Sequence, residues 1–245
     1  MSNINCQSKT ILFSSAIAVV GMGCQYPGAK DLKQLWSNIL AKRRQFRQLP
    51  SVRLPKAEYY DGDPSVADKT YGDRAALIDG FEFDWVKRRI PQQTVQTTDI
   101  VHWLALQTAD NALQDAGFAR NNIPVAKTGV ILGNTLTGEQ TRANTLRLRW
   151  PYVRRALIAS AQARKMSDGA VEALVSTMEQ FYKSVFAPTN EDSLAGGLSN
   201  TIAGRICNFF DFDGGGYTVD GACASSLIAT ATACNGRLQS LHLHY

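Results

Sequence analysis

Residues 217–227 read Tyr-Thr-Val-Asp-Gly-Ala-Cys-Ala-Ser-Ser-Leu, and Cys223 at their centre has the strongest chemical character in the chain. A β-type run, Tyr217-Thr218-Val219, ends in Asp220-Gly221. Small residues follow, and a helical pattern begins near Leu227. A strand, a tight glycine turn and a helix opening at a cysteine make an elbow that presents a nucleophile. At a helix N-terminus a thiol meets unpaired N–H groups and the positive end of the macrodipole, which favour the thiolate. The same N–H groups can bind a developing oxyanion. The pattern predicts acyl transfer through a thioester on Cys223. Asp220 is expected to order the turn, and Ser225 and Ser226 to support the helix start.

The other reactive side chains read differently. The five cysteines are Cys6, Cys24, Cys207, Cys223 and Cys234, with no C-x-x-C pair. An odd count without such pairs argues against a disulfide framework or a structural zinc site and fits a reducing cytoplasm. Cys24, Cys207 and Cys234 read as packing residues, since buried thiols behave as small hydrophobes. Of the three histidines, His102 sits beside Trp103 in a helical pattern and reads as a packed or surface residue. His242 and His244 lie in the last residues of the sequence. Asn200 and Arg205 read as structural. A cysteine hydrolase is a third possibility, but Ser225 stands where G-x-S-x-G requires its last glycine. A nucleotide site is disfavoured as well. Gly21-Met22-Gly23 is followed by Tyr26 where G-x-G-x-x-G needs glycine, and Gly28-Ala29-Lys30 lacks a P-loop ending.

The elements that must position Cys223 follow from periodicity. Ala16–Met22 reads as a buried strand leading into a turn. Asp31 caps a helix to about Arg44, with Leu32, Leu35, Trp36, Ile39 and Leu40 on one face. Residues 46–80 read as a long ordered loop and Phe81–Trp85 as a short hydrophobic anchor. Thr98 or Asp99 opens a helix to Ala116, closed by Gly117. Thr128–Gly133 is a second buried strand. Residues 139–185 are largely helical, with a break near Ser167-Asp168-Gly169. Asp192 or Ser193 caps a helix from about Leu194 to Phe210. A glycine-rich turn, Asp211–Gly216, then feeds the elbow. Strands alternating with helices predict an α/β class with a mostly parallel, helix-covered sheet.

Composition sets the outer bounds. The 245 residues are 44% hydrophobic and 19% charged, with a formal net charge of +5. Such a chain can bury a full core. Its mild basicity favours an acidic partner without singling out nucleic acid. The apolar run Ile11–Met22 is too short to span a bilayer and lacks an A-x-A-like cleavage site.

Several blocks together resemble the N-terminal half of a β-ketoacyl synthase, the condensing domain of polyketide and fatty acid synthases. They are Ile17–Ala29, Leu35-Trp36, Ala112–Gly117, Thr128–Gly133, Asn200–Asp211 and Val219–Leu227, in the family's order. The resemblance implies a thiolase-like fold, two similar α/β halves in a five-layered α-β-α-β-α arrangement, usually dimeric. It implies that Cys223 is the nucleophile, its backbone N–H one oxyanion donor. The cysteine would take an acyl chain from an acyl carrier protein or coenzyme A for decarboxylative condensation with a malonyl-carrier thioester. No cofactor is expected to bind directly, the substrates riding on phosphopantetheine. Neither metal, nucleic acid nor membrane is expected, and the expected compartment is cytoplasmic. Gly221 and Ala224 replace the Thr and Ser of the commoner modular version, and residues 133–139, 146–155 and 194–200 resemble iterative, enediyne-type synthases.

The likeness divides the chain into a polar segment 1–14, a synthase N-terminal domain 15–237 and an atypical tail 238–245. The family's two catalytic histidines, in an HGTGT-like block and a later GH block, find no match among His102, His242 and His244. A truncated or split synthase is therefore expected, partnered by a complementing C-terminal half. An alternative reading is a non-catalytic fragment that docks on an acyl carrier protein or partner synthase through Arg147, Arg149, Arg154 and Arg155. A solvated helix face is the favoured account of those arginines, since like-charge runs are often only that.

Overall fold

The computed structural model describes residues 16–119, 122–135 and 138–240, with side chains described as far as residue 236. The polar segment 1–14 with Cys6, and the tail with His242 and His244, lie outside the described residues, as do Leu136 and Thr137.

The chain enters along the helix α4 (Ile100–Asp115) rather than in a sheet. Residues 16–25 form no strand, and Val19 and Val20 are exposed. The predicted buried strand is corrected here: among the described residues no neighbouring strand pairs with it. Two glycines instead press it onto the helix α4 that follows. A Cβ on Gly21 would fall 2.3 Å from the Ala112 carbonyl oxygen, and one on Gly23 would fall 2.5 Å from that of Thr108. The Met22 N–H also donates to Asp115 Oδ2 at 2.9 Å.

Helix α1 spans Leu32–Leu40, matching its apolar pattern but ending before the expected Arg44. Asp31 caps it as expected, accepting from the Gln34 N–H at 2.8 Å. Its apolar stripe is exposed at Trp36, Ile39 and Leu40. The next stretch is an ordered loop holding β1 (Arg47–Gln48), α2 (Lys56–Tyr59) and β2 (Arg74–Ala75), with β1 and β2 antiparallel. Lys56 Nζ donates to Asp73 Oδ2 at 2.6 Å within it.

Helices α3 (Gln92–Gln96) and α4 (Ile100–Asp115) follow. Gly117 closes α4 at φ 78°, a left-handed conformation glycine adopts without a Cβ clash. Phe83 from the predicted anchor stacks on Trp103 of α4, ring centroids 4.7 Å apart. Both belong to the main core, where Trp103, Leu106, Ile123, Ile206, Phe210 and Phe212 are buried. Full burial of a side chain such as Leu106 contributes about 1.5–3 kcal/mol.

β3 (Val130–Gly133) leads to three helices: α5 (Glu139–Leu148), α6 (Trp150–Ala163) and α7 (Asp168–Ser184). The expected break before Asp168 is present, with Ser167 capping α7. A second break falls at Arg149, where Pro151 has no N–H to continue the α5 ladder. α6 and α7 pack around Trp150, Ala161, Val171 and Val175.

The single helix predicted from Leu194 to Phe210 is two, α8 (Glu191–Gly197) and α9 (Asn200–Phe210). Asn190 is the cap of α8, in place of Asp192 or Ser193, and forms a capping box with Ser193. A Cβ on Gly196 would meet the Thr97 carbonyl oxygen at 2.6 Å, so glycine lets the last turn of α8 lie against the α3–α4 junction, and the chain leaves the helix at Leu198, extended at ψ 136°.

β4 (Gly216–Val219) pairs parallel with β3, with Val130 opposite Gly216 and Gly133 opposite Val219. A 3₁₀ turn, Ala222–Ala224, opens helix α10 (Ser225–Ser240). Both α9 and α10 pack on the β3–β4 pair, giving the expected mixed α/β character.

Candidate active site

Cys223 lies in the 3₁₀ turn between β4 and α10, exposed to solvent, with a free thiol. Its N–H donates to no described residue. Two close approaches seat the helix start against the strands. A Cβ on Gly133, at the end of β3, would fall 2.6 Å from the Ser225 carbonyl oxygen. One on Gly221 would fall 2.2 Å from Ile228 Cδ1. A larger side chain at Gly133 would push the backbone of α10 off the sheet, whereas one at Gly221 would displace only the end of the exposed Ile228 side chain.

The turn is held by side chains that the sequence partly disclosed. The Ala222 N–H donates to Asp220 Oδ1 at 2.9 Å. Ser225 is buried; its Oγ accepts from the Gly221 N–H at 3.0 Å and donates to the Ala222 carbonyl at 2.7 Å. These are the ordering and supporting roles expected for Asp220 and Ser225. Ala222 itself sits at φ 52°, in the left-handed region. A residue bearing a Cβ occupies that region at a cost of roughly 1–2 kcal/mol.

Behind the elbow, Asn134 Nδ2 donates to Ser199 Oγ at 2.8 Å, and Thr218 Oγ1 donates to the Ser199 carbonyl at 2.9 Å. β3, β4 and the start of α9 are thereby tied together just below the cysteine turn. The Thr135 hydroxyl reaches the turn from the end of β3, 3.1 Å from the Ala222 carbonyl. Sequence reasoning missed Thr135, because a threonine after a strand carries no local signal for a contact 87 residues away.

The remaining candidates are placed elsewhere. His102 is buried at 1% exposure and accepts from Arg205 Nε at Nδ1, 3.3 Å away. Burial first, then the neighbouring Arg205 guanidinium, lowers its pKa to about 4, while Asp99 and the Leu198 carbonyl pull weakly the other way. Its Nε2 has no hydrogen-bond partner of normal geometry. Arg205 also lies over the Trp103 ring, 4.8 Å from the centroid. The packed reading of His102 and the structural reading of Arg205 agree with this geometry. Cys24 is buried, and burial raises its thiol pKa, as it does for the half-buried Cys207. Cys234 is half-buried on α10.

The basic stretch is not a uniform solvated face. Arg147 Nη1 donates to the Lys183 and Phe186 carbonyls at 2.7 and 3.2 Å, capping the end of α7 from α5. Arg149 and Arg155 flank the exposed Tyr152 ring at 5.6 and 5.5 Å. Among the described residues no cluster of histidine, cysteine and carboxylate could hold a metal. No described helix is long and apolar enough to cross a membrane.

A parallel strand pair, a turn carrying an exposed thiol and a helix packed back on the strands define a cysteine-elbow α/β protein. The chain belongs to the β-ketoacyl synthase N-terminal domain family, whose sequence pattern matches residues 14–240. It is 31% identical to a polyunsaturated fatty acid synthase polypeptide of Thraustochytrium sp., over 89% of this chain and 7% of that protein. It is 33% identical to a phenolphthiocerol/phthiocerol polyketide synthase polypeptide of Mycobacterium tuberculosis, over 90% of this chain and 13% of the other. The chain thus spans a small fraction of the curated relatives it matches. The oxazolomycin ketosynthase domain of Streptomyces albus superposes with a TM-score of 0.66 at 25% identity, covering 91% of this chain and 32% of that one. A ketosynthase–chain length factor protein, PfaC, superposes at 0.68 with 21% identity over 89% of this chain and 22% of that one, a likeness of fold alone. The thiolase-like class expected from the sequence agrees with these neighbours.

Proposed function

We propose that this chain supplies the acyl-accepting part of a β-ketoacyl synthase, with Cys223 as nucleophile. The observation that carries the reading is the exposed Cys223 thiol on a braced turn at the start of α10, its N–H committed to no described residue. The thiolate attacks the carbonyl of an acyl thioester carried on phosphopantetheine of an acyl carrier protein or on coenzyme A. A tetrahedral oxyanion forms, and the Cys223 N–H is placed to donate to it. Collapse breaks the bond to the carrier sulfur, which leaves as the thiol after taking a proton. The acyl group then rests on Cys223 as a new thioester.

Condensation needs groups that polarise the malonyl thioester and assist loss of carbon dioxide. His102, the one histidine among the described residues, is enclosed in the α4–α9 core and cannot serve. A complementing synthase half is assigned that role. Exposed apolar side chains beside the elbow support a covering partner: Tyr217 on β4, and Leu227 and Ile228 on α10. Within the family, Gly221 and Ala224 and the residues 133–139, 146–155 and 194–200 favour an iterative-type synthase.

Incubation with an acyl-carrier thioester, read by intact mass, tests the acceptor role. The expected result is one acyl adduct on the wild type and none on Cys223→Ala. An adduct that persists on Cys223→Ala overturns the assignment.

A further inference from the structure

The cysteine turn contains one strained residue, and its braces differ in origin. Ala222, directly before Cys223, has φ 52°. Its N–H is held by Asp220, and its carbonyl accepts from the Ser225 N–H and from Ser225 Oγ at 2.7 Å. These partners belong to the turn itself and would travel with it. One further brace comes from outside. Thr135 Oγ1 lies 3.1 Å from the same carbonyl and 3.2 Å from Ser225 Oγ. Since Ser225 already spends its proton on Ala222, the Thr135 proton points to that carbonyl too.

Thr135 is itself anchored. It follows Asn134, whose N–H donates to the Val219 carbonyl at 3.1 Å, extending the β3–β4 ladder by one bond. Asn134 is fixed further by its side-chain bond to Ser199. The hydroxyl therefore projects from a rigid strand end onto the peptide that joins Ala222 to Cys223. Because a peptide unit is planar, holding the Ala222 carbonyl also fixes the direction of the Cys223 N–H on the opposite edge.

We infer that Thr135 is a positioning residue for acyl transfer, fixing the Ala222–Cys223 peptide so that the Cys223 N–H can meet the oxyanion. The inference rests on the acceptor reading of Cys223. It predicts a separation between two reactions of the same thiol. Alkylation needs only an exposed thiolate, whereas acylation also needs the oriented N–H.

The test compares wild type, Thr135→Val and Thr135→Ser for acylation by an acyl-carrier thioester and for alkylation of Cys223 by iodoacetamide. Valine keeps the shape and removes the hydroxyl; serine keeps the hydroxyl. Acylation of Thr135→Val is expected to fall about tenfold or more, as small misplacements at a reacting centre do. Alkylation of Cys223 should change less than about twofold, and Thr135→Ser should recover most of the acylation. Equal acylation by wild type and Thr135→Val overturns the inference alone. A parallel fall in both reactions, or no rescue by serine, overturns it in favour of a purely structural role. Wild type that takes no acyl group at Cys223 overturns the acceptor reading and this inference with it.

Discussion

Ser225 Oγ lies 3.0 Å from the Gly221 nitrogen and accepts its N–H across the cysteine turn, while donating to the Ala222 carbonyl. One buried hydroxyl thus closes both ends of the turn that presents Cys223. Ser225→Ala leaves the half-buried Gly221 N–H without its acceptor and the Ala222 carbonyl without one of its donors. The expected loss is about 1–3 kcal/mol of stability, read from a urea unfolding midpoint. Acylation of Cys223 should fall as well. An unchanged midpoint would show that the turn does not depend on this hydroxyl.

Asp99 joins two helices that are far apart in sequence. Its Oδ1 accepts from the Gln140 N–H at 2.7 Å, and its Oδ2 accepts from the Gly138 N–H at 3.1 Å and lies 2.7 Å from the Thr141 hydroxyl. The residue stands at the N-cap position of α4, yet its carboxylate caps α5. Asp99→Ala should cost about 1–3 kcal/mol by orphaning these donors. Asp99→Asn should fall between, because one side of an amide can accept and the other cannot. A neutral Asp99→Ala in chemical denaturation would contradict this cap.

His102 makes stability depend on pH. Its folded pKa of about 4 lies below the unfolded value near 6.5, so between these values the unfolded chain binds the extra proton. Stability from this group is full above about pH 6.5 and is lost as pH falls toward 4, on the order of 3 kcal/mol in all. Thermal midpoints from pH 7 to 5, above most carboxylate titration, should fall less steeply for His102→Gln than for wild type. Equal slopes would place the acid sensitivity elsewhere.

Much of this was legible in the sequence because it is local. The cysteine elbow, the Asp31 cap, the Gly117 stop and the anchor around Phe83 depend on neighbours within a few residues. What escaped is non-local. Ile17–Gly21 has the composition of a buried strand, but Gly21 and Gly23 seat that segment on α4 instead. Gly196, just before the break, is required by its close approach to Thr97, nearly a hundred residues away. Arg147 looked like part of a charged face, yet it caps α7 from a neighbouring helix. Asp99 and Thr135 act across the fold on elements that no periodicity connects to them.

The identity of the acylated sulfur tests the central claim most directly. Cys207, Cys223 and Cys234 fall in one tryptic peptide, between Arg205 and Arg237, so fragment ions must assign the modified residue. After incubation with an acyl-carrier thioester, the acyl mass should map to Cys223 and be released by hydroxylamine, as a thioester is. Acylation mapped to Cys234 or Cys207, or an unmodified Cys223 in a chain that has bound acyl groups, would contradict the account.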